Sequence, residues 1–177
     1  MAYIEIKNAG KTFVQGGKEF TALEEVNLTI NKGEFICLLG PSGCGKSTLL
    51  NAMAGFAPVN YGSIQIAGEE VSSPSVKHVT IFQNYGLLPW RTVQKNVEFG
   101  LEAKRLSKAE RKETAEKYIE LVGLSEFSRS YPRQLSGGMQ QRVAIARALA
   151  VDPEIVFMDE PFGALDAITR MKLQDDI

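Results

Sequence analysis

Hydrophobic and polar residues alternate along this chain with two different periods, and the places where the period changes mark its elements. Tyr3-Ile4-Glu5-Ile6-Lys7 alternates residue by residue, and Ala22 to Ile30 does so again before the turn Asn31-Lys32-Gly33. A period of two is that of a half-buried strand, so the two stretches read as an antiparallel flap. Phe35-Ile36-Cys37-Leu38-Leu39 is apolar at every position, the pattern of a strand buried on both faces, and Leu49-Leu50-Asn51-Ala52-Met53-Ala54 continues as a helix beyond a glycine-rich break. Gly62 to Gly68 and His78 to Phe82 are two further short strands between turn signals. From Thr92 onward the period becomes helical. Ser107-Lys108-Ala109-Glu110 is a capping box that opens a helix with Ala115, Tyr118, Ile119 and Val122 on one stripe, and Gly123 closes it. A second helical run covers Met139 to Ala150, with Val143, Ala146, Arg147 and Ala150 at helical spacing. Ile155-Val156-Phe157-Met158 is again apolar throughout, as a central parallel strand is, and Phe162 to Asp166 turns into a last helix. The alternation of strands and helices predicts a single α/β domain: a core from about residues 1–85 and 151–177, interrupted over about 86–150 by a helical insert. No glycine or proline stops the last helix before Ile177, so the C-terminus reads as truncated.

Composition narrows the classes open to such a domain. With 177 residues, 44% of them hydrophobic, one core of useful size can form. A formal net charge of −1 supplies no concentrated basic face and argues against nucleic acid as a partner. Cys37 and Cys44, one in the apolar strand and one in the glycine-rich break, suit neither a structural disulfide nor a metal site, which points to the cytoplasm. No apolar run approaches the roughly 18 residues of a membrane span, and the first residues lack the features of a signal peptide.

Candidate chemistry lies at the ends of the apolar strands. Gly40-Pro41-Ser42-Gly43-Cys44-Gly45-Lys46-Ser47-Thr48 stands between the Phe35–Leu39 run and the following helix, the context that a phosphate-binding P-loop requires. Its glycines let backbone N–H groups face inward as an anion cradle, and the helix aims its positive end at the same point. A nucleoside triphosphate suits this cradle, with Lys46 on the β- and γ-phosphates and the Ser47 hydroxyl on Mg²⁺. Gln83, at the tip of the His78–Phe82 strand, can offer its carbonyl to Mg²⁺ or to water. Ser136, Gly137 and Gly138 open the Met139–Ala150 helix as a second anion-binding N-terminus, with a hydroxyl and bare amides. Asp159 and Glu160 end the strand Ile155–Met158, where ligands of open α/β sheets bind; Asp159 can hold Mg²⁺ through water while Glu160 orients or deprotonates an attacking water. Phe13 and Phe20 can each stack on a base or serve as a core or flap-packing residue, and the latter is the better reading for Phe20. His78, the single histidine, reads as a surface or packing residue. Leu87-Leu88-Pro89-Trp90 makes an apolar knob, either core or a docking surface.

Together these residues resemble the ATP-binding cassette (ABC) ATPases, over essentially the whole chain. Gly40 to Thr48 is similar to the family's Walker A loop, Gln83 to its Q-loop, and Leu135-Ser136-Gly137-Gly138-Met139-Gln140-Gln141-Arg142 to its signature; Ile155 to Glu160 is similar to Walker B and Ala164-Leu165-Asp166 to the D-loop. Phe13 falls where the family has its base-stacking aromatic. The resemblance implies a P-loop NTPase fold of the ABC ATPase type, with ATP and Mg²⁺ as ligands. It also implies a head-to-tail pair in which Ser136, Gly137, Gly138 and Gln140 of one copy, with Asp166 of the D-loop, complete the ATP site of the other. Phe82 to Arg91 and Ala54-Gly55-Phe56 resemble the ATPase subunits of taurine, aliphatic sulfonate and nitrate importers. The implied activity is ATP hydrolysis driving uptake of such an anion. Its implied partners are membrane permease subunits docked near the Q-loop and, indirectly, a solute-binding protein; its implied place is the cytoplasmic face of the membrane. The family's switch histidine belongs to a strand beyond Ile177, and His78 lies on the wrong side of Gln83 to replace it. Two alternatives stand beside the importer subunit: a nucleotide-dependent dimerisation module without turnover, and a soluble ABC ATPase outside transport.

Overall fold

The computed structural model describes residues 2–159, and the chain divides after Ser75 into two compact units. The first unit is built on a long hairpin. Strand β1 (Ala2–Gln15) turns at Gly16-Gly17 into strand β2 (Lys18–Asn31), antiparallel, and the predicted flap is therefore longer than its alternating stretches. The extension past Lys7 carries irregularities that hide the period. The register shifts between Ile6 and Lys11, and Asn8 and Glu25 adopt left-handed φ values of 48° and 47°. Asn27 clips this bulge, accepting the Asn8 amide hydrogen at 2.9 Å and donating to the Glu25 carbonyl at 2.8 Å.

On the other edge of β1 lies β3 (Tyr61–Ile66), which pairs in turn with the two-residue β4 (Glu69–Glu70), so the sheet order is β2-β1-β3-β4. Alternation buries Ile4 and Ile6 of β1 with Ile64 and Ile66 of β3, each 4% exposed or less. Each such aliphatic side chain withdrawn from water contributes roughly 1.5–3 kcal/mol before entropy is counted. Helix α1 (Lys46–Met53) adds Leu49, Ala52 and Met53 to the buried set.

The apolar run Phe35–Leu39, expected as a buried strand, departs from that expectation. It forms no ladder among the described residues, and Phe35, Ile36 and Leu39 are 87%, 43% and 88% exposed. An all-apolar strand is stable only with a neighbour on its backbone and cover on its faces. The strands of its own unit are all paired among themselves, with β2 and β4 at the edges.

The second unit contains β5 (His78–Ile81) and β6 (Ile155–Met158), which pair parallel from His78↔Ile155 to Ile81↔Met158. Between them in sequence come α2 (Val93–Glu102), α3 (Lys108–Leu121) and α4 (Gly137–Ala150). Helix α4 is buried on two sides. Val143 and Ala146 join Val97, Leu101, Ala115 and Ile119 in one cluster, while Ala144, Ile145 and Ala148 pack with Ile81, Val79 and Val156 in another. The Ser107 capping box of α3 is formed: the Glu110 amide donates to the Ser107 hydroxyl at 3.3 Å, and Glu110 accepts the Ser107 amide hydrogen at 2.8 Å. Gly123, with φ 67°, ends that helix as expected.

Candidate functional site

The glycine loop of the first unit closes tightly on itself. Gly43 and Gly45 have φ values of 82° and 97°, and Gly45 is the residue before the first turn of α1. A Cβ on Gly45 would lie 2.4 Å from the carbonyl oxygen of Ala22 on β2, so only glycine fits. A Cβ on Gly40 would come within 2.7 Å of the Cys44 sulfur. The loop is thus pressed against β2 on one side and against its own thiol on the other. Lys46 arches back over the loop, its Nζ donating to the carbonyls of Gly40 at 2.9 Å and Pro41 at 2.8 Å. The Lys46 ammonium and the positive end of the α1 dipole therefore lie at the same loop, with no acidic residue in the first turn to compete. Ser47, beside Lys46, is exposed. Such an arrangement binds phosphate.

Phe13 lies near the hairpin tip, directly opposite Phe20 in the register. Both are exposed, Phe13 by 41% and Phe20 by 59%, with the Lys11 ammonium 5.4 Å above the Phe13 ring. Of the core and flap-packing readings of Phe20, the structure keeps the second: it pairs with Phe13 across the hairpin and is not in the core.

In the second unit, Gln83 and Asp159 leave the same edge of the parallel pair. The Asp159 amide donates to the Ile81 carbonyl at 3.1 Å, two residues before Gln83. Hydroxyl, amide and carboxylate oxygens are the hard donors that Mg²⁺ prefers, so the donor types of Ser47, Gln83 and Asp159 fit that ion. Glu160 and Asp166 lie outside the described residues. Ser136 caps α4, accepting the Met139 amide hydrogen at 3.3 Å, and Gln140 donates to the Leu135 carbonyl at 3.3 Å. Gly137 and Gly138 begin the helix, and a Cβ on Gly137 would lie 3.5 Å from the Tyr85 hydroxyl. Tyr85 thus spans from the loop after Gln83 to the head of α4. His78 is half-buried at the start of β5, where burial, opposed by Glu154, holds its pKa below the ordinary histidine value. It is a packing residue at the end of the strand away from Gln83.

The family model described as ABC transporter matches residues 23–163. The chain belongs to the ABC transporter ATP-binding family. It is 52% identical over 174 residues to an uncharacterised ABC transporter ATP-binding protein of Methanocaldococcus jannaschii, covering 98% of this chain and 65% of that protein. It is 54% identical over 159 residues to the taurine import ATP-binding protein TauB of Escherichia coli K12, covering 90% of this chain and 62% of TauB. Against the nitrate import ATP-binding protein NrtD of Synechococcus elongatus the identity is 46% over 177 residues, covering 99% of this chain and 65% of NrtD. The chain therefore spans a little under two thirds of the length of these relatives. A dimeric structure of the ATP-binding cassette MJ0796 in a post-hydrolysis state with ADP and phosphate superposes with a TM-score of 0.89 at 37% identity, covering 98% of this chain and 80% of that one. The fold of the ABC cassette is thereby established for this chain. Among the described residues no helix is long and apolar enough to cross a membrane.

Two residues that organise the second unit escaped the reading of the sequence as site residues. Asn96 and Arg147 each sit on a helical apolar stripe, Asn96 between Val93, Val97 and Leu101 and Arg147 beside Val143, Ala146 and Ala150. A polar residue on an apolar stripe was the available signal.

Proposed function

We propose that this ABC cassette is the ATP-binding and ATP-hydrolysing subunit of an importer for a small anion such as taurine, a sulfonate or nitrate. The observation that carries the reading is the glycine loop, where Gly45 admits no side chain and Lys46 stands over the mouth. The names of TauB and NrtD support the solute class. Lys46 binds the β- and γ-phosphates, the amides of residues 40–48 cradle them, and Phe13 stacks on the base. By their places in the family's motifs, Ser47 and Gln83 would hold Mg²⁺, and Asp159 would hold it through water. Mg²⁺ bound there neutralises charge developing on the phosphates. Glu160 takes a proton from the attacking water. A second copy supplies Ser136, Gly137, Gly138 and Gln140, with Asp166, to close the site; membrane permease subunits receive the motion, and a solute-binding protein delivers the anion to them. The subunit works at the cytoplasmic face of the membrane.

The test is Glu160→Gln in the full-length protein. The amide keeps the shape of the side chain but cannot accept the proton, so ATP binding persists while turnover falls on the order of 10²-fold or more. Undiminished turnover in that variant would contradict the assignment of the base.

A further inference from the structure

Two polar side chains outside the phosphate loop, one buried and one half-buried, converge on one segment. Asn96, 0% exposed on α2, accepts the Leu88 amide hydrogen at 2.8 Å and donates to the carbonyls of Leu88 at 3.1 Å, Arg91 at 3.0 Å and Thr92 at 3.0 Å. Arg147, on α4, donates to the carbonyls of Gly86 at 2.7 Å and Tyr85 at 2.9 Å. The segment held in this way begins just after Gln83, ends at the cap of α2, and carries Trp90, 71% exposed, at its crest. Ordinary connections run over the surface and are solvated by water, without interior side chains spent on them.

The segment needs holding. Tyr85 has φ 60°, a conformation that side chains other than glycine avoid, and its turn is closed by the short bonds Tyr85 amide to Phe82 carbonyl at 2.9 Å and Gly86 amide to Asn84 carbonyl at 2.7 Å. Arg147 faces carbonyls and has no carboxylate partner among the described residues, and burial lowers its pKa. A half-buried guanidinium and a buried amide are retained only where their bonds are made, and here most of those bonds leave the parent helix for the loop.

We infer that Asn96 and Arg147 are positioning residues that hold residues 84–92 as one rigid piece joined to α4, so that a displacement of Trp90 is passed on as a body. The Tyr85 hydroxyl beside Gly137 carries the same piece to the head of α4. The source of the displacement, a membrane subunit, rests on the function proposed above; the rigidity does not.

The experiment combines amide hydrogen exchange on the full-length protein with ATP turnover in the presence and absence of its membrane subunits. Asn96→Asp keeps the shape but loses the donors to three carbonyls. It is expected to speed exchange at the Leu88 amide about tenfold or more, to leave the KM for ATP within about twofold, and to reduce stimulation by the membrane subunits severalfold. Trp90→Ala should lose the stimulation while Leu88 exchange stays slow. Arg147→Lys, which keeps the charge but not the fork, should speed exchange at Tyr85 and Gly86, and it decides the matter if Asn96→Asp does not fold. Parental exchange rates across residues 84–92 in these variants would overturn the inference. A parent protein without ATP turnover or without stimulation would refute the proposed function, and the exchange rates would still decide the rigidity of the segment.

Discussion

Single residues in the glycine loop carry the most specific information in the chain. Gly45 is fixed by two independent constraints, a φ of 97° and the Ala22 carbonyl 2.4 Å from where a Cβ would be. Gly45→Ala is therefore expected to destabilise the first unit by about 1–3 kcal/mol and to weaken nucleotide binding, read by thermal unfolding and by titration. Gly43, with φ 82° but nothing within 4 Å of a built Cβ, should tolerate alanine better. The turns of this loop were legible in the sequence because Gly43 and Gly45 take left-handed φ values that glycine favours, whereas the close approach of Ala22 depends on tertiary packing. Asn96 and Arg147 were not legible as site residues, since their partners lie on a loop whose path depends on tertiary packing. Phe20 could be read as a core or flap-packing residue, and its pairing with Phe13 follows from the unshifted register that the Gly16-Gly17 turn sets at the tip of the hairpin.

At the scale of elements, capping and periodicity translated into structure wherever the partner was local. The capping box of α3 and the Ser136 cap of α4 formed as their sequences indicate. Ser136→Ala should cost about 1 kcal/mol through loss of the cap, measurable by denaturant unfolding. Acidic side chains give these elements a pH dependence. The Arg91 guanidinium, 2.7 Å from Glu102, holds that carboxyl below its ordinary value, as Ser107 does for Glu110 and Asn31 for Glu34. A carboxylate with a depressed folded pKa contributes stability that is complete above its unfolded pKa and is lost as pH falls through the folded one. Thermal stability should accordingly fall on acidification through the carboxylate range, and Glu102→Gln should make that acid limb shallower. The apolar run Phe35–Leu39 shows the opposite case, in which composition named an element but could not supply its neighbour. Because Phe35 and Leu39 are exposed, replacing both with serine in the 177-residue chain should change its unfolding free energy by less than about 1 kcal/mol while raising its solubility. A loss of several kcal/mol would show that these side chains are buried in solution.

For the molecule as a whole, the division after Ser75 separates the glycine loop from Gln83, Asp159 and the Ser136–Gly138 cap. The motifs fall in both units, and their order along the chain, together with the match over residues 23–163, is what assigns it to the ABC family. Membership of the family was readable from the sequence because motif spacing is a property of the chain itself. The arrangement of the sheet was less so: β5 pairs directly with β6, from opposite ends of the helical segment, and nothing local in either strand selects that partner. On the function proposed above, residues 40–48 bind the phosphates of ATP through Lys46. Equilibrium titration of the chain with ATP and Mg²⁺, beside the same titration of Lys46→Ala, tests it most directly. Saturable binding by the parent and its loss in the variant are expected; equal affinity in the two proteins would rule out this role for Lys46.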